Sequence, residues 1–306
     1  MDALRSLTAL PYDLRRKEIG GRSYLYEISD RSGNGTSLGP WSPENEARFS
    51  AYRAKKTAAK ERRDISRAAL DEACRLYRAL RLPMLASDAG PILREADSRR
   101  LLGGHLLVVG TNAMVAYAIE AGGSILGAPD ETQDFDMAWA ATEKEKTPSV
   151  WQMLKAVDPT FTINSERTFQ ARNAKAYEVE ILVAPSRAET MFRTDRPRPA
   201  PLPEQEWLLE GRPVDHVVVC RDASPARIVA PDPRWFALQK LWLSAQPKRN
   251  PLKRPKDLKQ GMALLDAVNA AMPQYPLDDA FAASVPDELL PQLELWRRRA
   301  PQRDAP

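Results

Sequence analysis

Cysteine and histidine are both scarce in this chain of 306 residues. There are two cysteines, Cys74 and Cys220, and two histidines, His105 and His216. Two cysteines far apart make no disulfide framework and fit a reducing, cytosolic setting. Neither histidine has a Cys or His neighbour at zinc-ligand spacing, so a structural zinc site is not expected. Long apolar runs are also missing. The longest clusters, such as Leu106–Val109, are strand-length and far short of the ~18 consecutive apolar residues of a membrane helix. The first residues, MDALRSLTALPYDLRRKE, carry no apolar block followed by a small-residue cleavage site, so no signal peptide is expected and a cytoplasmic location is.

What is present is ordinary globular material: 43% hydrophobic and 28% charged residues, with a net charge of +4. Lys and Arg concentrate in residues 53–67 and again in 248–259. Such runs are read first as solvated helix faces. The run Arg53, Lys55, Lys56, Lys60, Arg62, Arg63 and Arg67 is also a candidate for contact with RNA or DNA.

Residues 20–42 read as a β-hairpin. RSYLYEIS alternates apolar and polar residues, DRSGNG is turn chemistry, and Thr36–Trp41 returns. Ser42-Pro43-Glu44 starts a helix, predicted to run to about residue 81. Its second half carries a stripe at Ile65, Ala69, Ala73, Leu76 and Leu80, which predicts one face against a core. A short helix is predicted over Pro91–Leu102, a strand at Leu106–Val109 and a helix over Asn112–Glu120. After the Gly-rich stretch AGGSILGAPDETQ come strands at Asp134–Ala138, Phe161–Ile163, Thr168–Arg172, Tyr177–Ala184, Val214–Val219 and Arg227–Ala230, with an Arg- and Pro-rich loop at Thr194–Pro203. Beyond Pro233 the pattern is helical, interrupted by a basic loop at Pro247–Pro255. The organisation is an N-terminal hairpin and helical arm (1–85), an α/β core (86–230) and a C-terminal helical region (231–306).

Two strands carry the chemistry. Alternate side chains of a strand share a face, so in DFDMAW the carboxylates of Asp134 and Asp136 point one way while Phe135, Met137 and Trp139 point the other. Adjacent carboxylates repel unless a cation sits between them, and oxygen ligands suit Mg²⁺. In YEVEILV, Val179, Ile181 and Val183 form a buried face and Glu178 and Glu180 share the opposite one. If the two strands are neighbours, three or four acids converge, as a metal-assisted displacement of pyrophosphate requires. Upstream, Leu106–Gly110 followed by Thr111-Asn112 is a strand, a tight turn and a helix start, which aims backbone N–H groups at an anion.

VVGTNAMVAYAIEAGG, TQDFDMAW and YEVEILVAP together resemble the polymerase-beta type nucleotidyltransferase superfamily. Within it the chain resembles a family of bacterial nucleotidyltransferase-fold proteins related to the toxins of abortive-infection systems. The hairpin segment RSYLYEISDRSGNGTSLGPWSPENEA and the segment PRWFALQKLWLSAQPKRNPLKRPKDLKQGMALL extend the resemblance to roughly residues 20–270. It implies an α/β (α+β) fold with a mixed-sheet core and transfer of an NMP from an NTP, ATP among them, to an acceptor hydroxyl of tRNA, protein or a small molecule. Mg²⁺ or Mn²⁺ is the implied cofactor and an antitoxin the implied partner. The Thr111 and Asn112 side chains of the turn can add hydrogen bonds to a phosphate; by the same resemblance Gly110 and Thr111 meet nucleotide phosphate, Asp134, Asp136 and Glu180 bind metal, and Lys240 lies near the phosphates, with Arg249 and Asp257 flanking. The position after Gly110 holds Thr where the superfamily usually has Gly or Ser. The competing expectation is a non-catalytic nucleic-acid or protein-binding module on the same fold.

Overall fold

The computed structural model describes residues 10–128, 134–143, 149–191 and 193–299. It divides into two compact units, up to Leu76 and from Tyr77 onward. The N-terminal stretch read for a signal, the tail of the Gly-rich stretch at 129–133 and the last seven residues lie partly or wholly outside the described residues.

In the first unit the expected hairpin supplies two strands of a three-stranded antiparallel sheet, β1 (Asp13–Ile19), β2 (Arg22–Ile28) and β3 (Gly35–Pro40), in that order. The turn between β2 and β3 is built by Asp30, whose carboxylate accepts from the Asn34 backbone N–H at 3.1 Å and its side-chain amide at 2.7 Å. Helix α1 (Pro43–Ala79) follows, with the Ser42 hydroxyl accepting from the Asn45 N–H at 3.2 Å. Leu14, Leu25 and Tyr52 form the small core, with Trp41 edge-on to Phe49 beside it.

The second half of α1 departs from expectation. Ile65 is 71% exposed and Leu76 60%, and Leu80 just past the helix is 71% exposed. Among the described residues the predicted stripe faces no core. Periodicity gave the apolar face correctly and said nothing of what would cover it.

The second unit is built on a mixed sheet. β4 (Leu106–Val108) runs antiparallel to β5 (Asp134–Trp139), which lies parallel to β8 (Glu178–Val183). β8 continues antiparallel to β7 (Gln170–Arg172), and β7 to β6 (Thr162–Ile163). The Arg- and Pro-rich segment is not all loop, since Ala200–Pro201 forms β9 beside β8. A separate hairpin, β10 (Val214–Val219) and β11 (Pro225–Ala230), packs against α2 (Ala89–Ser98) and α3 (Ala113–Glu120). Helix α4 (Val150–Val157), not foreseen from the sequence, takes its cap from two places. Ser149 accepts from Gln152 N–H, and Asp195, distant in sequence, accepts from the backbone of Val150 at 2.8 Å and Trp151 at 3.1 Å.

Helices α5 (Pro233–Ala245) and α6 (Arg254–Ala271) lie against each other. The basic loop is therefore shorter than expected, because its last two residues are already helical. Asp232 caps α5 by accepting from the Arg234 N–H at 2.9 Å, and Pro233 occupies the first turn. Close approach of the pair depends on Gly261, where a Cβ would sit 2.7 Å from the Leu241 side chain. Helices α7 (Asp279–Ser284) and α8 (Leu290–Arg299) close the described chain. Cys220 is buried. His216 pairs with Glu120, which also accepts from Gln274, and so ties β10 to α3.

Candidate functional site

The site begins with the register of two strands. β5 and β8 pair in parallel with Asp134 opposite Glu178 and Asp136 opposite Glu180, so all four acids emerge on one face. On the other face Phe135, Met137, Val179, Ile181 and Val183 are fully buried. Each such side chain contributes ~1.5–3 kcal/mol on burial, so together they outweigh the repulsion of acids held side by side. Gln170 on β7 spans both glutamates, its amide donating to Glu178 at 3.1 Å and Glu180 at 2.9 Å.

Gly110 sets the depth of the site. Its φ of +65° is left-handed, and a Cβ there would lie 2.1 Å from Asp136 Oδ2. Glycine is required twice at this point, for the turn and for the carboxylate that packs on it. Val109 N–H bonds to the Asp136 carbonyl at 3.0 Å, holding the turn against β5. Thr111 follows, lining the cleft while its hydroxyl accepts a long 3.4 Å bond from Gln260. Asn112 does something other than expected. Its side chain is buried and its amide donates to the Asp134 carbonyl at 3.0 Å; it does not line the cleft but supports the start of β5 from beneath.

The opposite wall is cationic and comes from α5, α6 and the loop between them. A cleft of about 310 Å³ brings Gly110, Thr111, Asp134 and Asp136 to Lys240, Arg249, Lys253 and Lys256. Asp257 organises this wall. It is 2% exposed, with one carboxylate oxygen 3.0 Å from Lys240 Nζ and the other 2.8 Å from Arg249 Nε. Lys253 Nζ reaches to 3.6 Å from Asp134 Oδ2. Burial, then the nearby Lys240, push the Lys256 ammonium below its ordinary range, against the opposing pull of Asp134 and Asp257. The acids carry the opposite stress. Burial first, then Asp134 and Glu180, raise the Asp136 carboxyl from the ordinary 3.8 to about 7, against the opposing pull of Lys240 and Lys253.

Of the residues expected at the phosphate and metal site, all except Asn112 thus line one connected region. Arg249, Lys253 and Lys256 carry more of it than the sequence suggested. The signal was the basic loop, but only the return of α6 along α5 points it at the acids. Gln170 had no signal in sequence, because its place depends on strand order. No three acidic, His or Cys side chains close into a metal-holding group among the described residues. Two adjacent carboxylates do suit Mg²⁺, which keeps several waters and completes its shell with substrate phosphates.

The family model for nucleotidyltransferases matches residues 87–286, about two thirds of the chain. The chain belongs to the nucleotidyltransferase family. The matched span contains both acid-bearing strands, the Gly110 turn and the cationic wall of α5 and α6, so the cleft lies inside the part of the chain that defines this nucleotidyltransferase. No curated protein is significantly similar to the chain. Among solved structures, an antigenic nucleotidyltransferase-like protein from Paracoccidioides brasiliensis is similar at 14% identity and a TM-score of 0.40, over 72% of this chain and 92% of that one. No helix among the described residues is long and apolar enough to cross a membrane.

Proposed function

We propose that this nucleotidyltransferase moves an NMP from an NTP to an acceptor hydroxyl in a reaction that depends on Mg²⁺ or Mn²⁺. The observation that carries the reading is the pairing of two oppositely charged walls: acids in parallel register on β5 and β8 facing Lys240, Arg249, Lys253 and Lys256. A triphosphate needs the cations, and an in-line displacement at its α-phosphorus needs the acids.

Asp134 and Asp136 are the residues that would hold the divalent ion, with Glu180 as third acid. Bound there, the ion would neutralise charge that develops on the phosphate oxygens. The raised Asp136 carboxyl fits such a ligand, because a cation would replace the proton that burial and two neighbouring acids now favour. The Gly110–Thr111 turn and the cationic wall hold the triphosphate in line. The acceptor oxygen forms its bond to the α-phosphorus, the bond from that phosphorus to the bridging oxygen breaks, and pyrophosphate leaves toward Lys240 and Arg249. The acceptor proton passes to Glu180, whose carboxylate is oriented by Gln170.

We place the acceptor among tRNAs and proteins, and read the chain as a toxin held by a partner, on the strength of its sequence resemblance. The test is transfer of α-labelled NTP, each of the four in turn, to total RNA or lysate protein with Mg²⁺ or Mn²⁺. Label entering one fraction with wild type and not with Asp134→Asn supports the reading. Binding of nucleic acid that is indifferent to Asp134→Asn, with no label transferred, supports the binding module instead. Growth arrest on overexpression that Asp136→Asn abolishes would support the toxin role.

A further inference from the structure

Beside the acids the cleft gains apolar walls. There Asp134, Asp136 and Glu180 border a recess of about 270 Å³ whose apolar walls are Phe169, Leu182, Leu202 and Leu243, with Glu204, Gln205 and Gln239 at its edge and Lys240, Arg249 and Lys253 shared with the cationic cleft. The recess thus joins apolar walls to the carboxylates and cations of the same cleft, as a nucleotide joins a base to its phosphates.

Gln205 is the unusual member. It is 5% exposed, yet its Oε1 has no hydrogen-bond partner among the described residues. A buried amide oxygen left unmatched costs free energy, and native structures rarely tolerate one without a reason. The backbone that carries it is nonetheless fixed. Leu202 N–H bonds to the Val183 carbonyl at 3.0 Å, which ties the segment to the strand that carries Glu180. Gln205 N–H bonds back to the Leu202 carbonyl at 3.0 Å. The Gln239 amide on α5 donates to the Glu204 carbonyl at 3.1 Å. An acceptor carried on a backbone fixed at three points, at the edge of a slot with apolar walls and with nothing to accept, is arranged for a donor on a ligand.

We propose that this recess receives the nucleobase of the NTP, and that Gln205 selects bases bearing an exocyclic amine over uracil. The inference rests on the nucleotidyl-transfer reading for its ligand. Phe169 and the leucines supply apolar contact for a planar ring, which any base would satisfy. Gln205 Oε1 accepts an N–H. Adenine, cytosine and guanine each offer an amine, whereas uracil presents carbonyl oxygens beside its single N–H and would set acceptor against acceptor.

The experiment is equilibrium binding to the full chain with Mg²⁺, using α,β-methylene analogues of ATP, CTP, GTP and UTP, the analogue of purine riboside triphosphate (which lacks the amine), and inorganic tripolyphosphate. The expected result is binding of at least one amino-bearing nucleotide about ten-fold or more tighter than the UTP analogue. The purine riboside analogue falls behind the ATP analogue, and Gln205→Leu brings the series to within about two-fold. Should Gln205→Leu not fold, the wild-type comparison of the ATP and purine riboside analogues decides alone. Equal binding of all the nucleotides, tightest binding of the UTP analogue, or a preference that survives Gln205→Leu overturns the inference. If tripolyphosphate then still competes, the transfer reading stands without it; if neither tripolyphosphate nor any nucleotide binds, both fall.

Discussion

Replacing Asp136 with asparagine should make the metal-free protein more stable while removing its activity. The folded-state carboxyl is raised from 3.8 to about 7 by burial and by Asp134 and Glu180. The sign follows from linkage. A carboxyl whose folded value lies above its unfolded one favours the fold while protonated, so its contribution is full below pH 3.8, falls as pH rises, and is fully lost above about 7. At about 1.4 kcal/mol per pH unit the loss amounts to about 4 kcal/mol. This is an upper limit, because Asp136 lines an open cleft and water screens part of the cost. The neutral amide of the Asp136→Asn variant has no charge to lose. Urea unfolding in EDTA should therefore show wild type and Asp136→Asn nearly equal at about pH 4, with the variant ahead by up to about 4 kcal/mol at about pH 8. Mg²⁺ should raise wild type far more than the variant. A variant no more stable than wild type at the higher pH, or a difference that does not grow with pH, would refute the reasoning.

Gly110→Ala should cost about 1–3 kcal/mol for the left-handed backbone and about 100-fold or more in transfer rate by displacing Asp136, read by calorimetry and label transfer. Asp257→Ala leaves Lys240 buried without its carboxylate; a loss of about 3–5 kcal/mol is expected, seen as a fall in Tm on the order of 10 °C. Lys253→Ala removes a half-exposed cation at the cleft mouth, so it should raise the KM for NTP several-fold with little change in stability, within about 0.5 kcal/mol, and flatten the salt dependence of binding.

The acids were legible because a strand repeats every two residues. Phe135 and Met137 had to be inside, so Asp134 and Asp136 had to share the outside face. Their partnership with Glu178 and Glu180 was not legible, since it depends on β8 joining β5 directly and in parallel, 44 residues further along the chain by the pairing of Asp134 with Glu178. Gly110 stood out as a turn residue, but the stronger reason for it, the Asp136 carboxylate against its Cα, exists only once β4 and β5 have paired. Lys253 and Lys256 looked like residues of a solvated basic loop until α6 folded back along α5. Gln205, within a short 3-10 helix, carried no pattern at all. The α1 stripe shows the converse failure, a correct apolar period with no core beside it among the described residues. Local geometry could be read from the sequence; which elements become neighbours could not.

The central claim is that the bond broken lies between the α-phosphorus and the bridging oxygen, with the acids of β5 doing the work. The most direct measurement is a paired-label comparison, in which the protein, Mg²⁺ and the responsive acceptor fraction are given the same NTP labelled at the α or at the γ phosphorus. The account predicts that α label enters the acceptor, that γ label leaves as pyrophosphate, and that both events vanish in Asp134→Asn and Asp136→Asn. Transfer of the γ label to the acceptor, or α transfer that survives the loss of both acids, would contradict it.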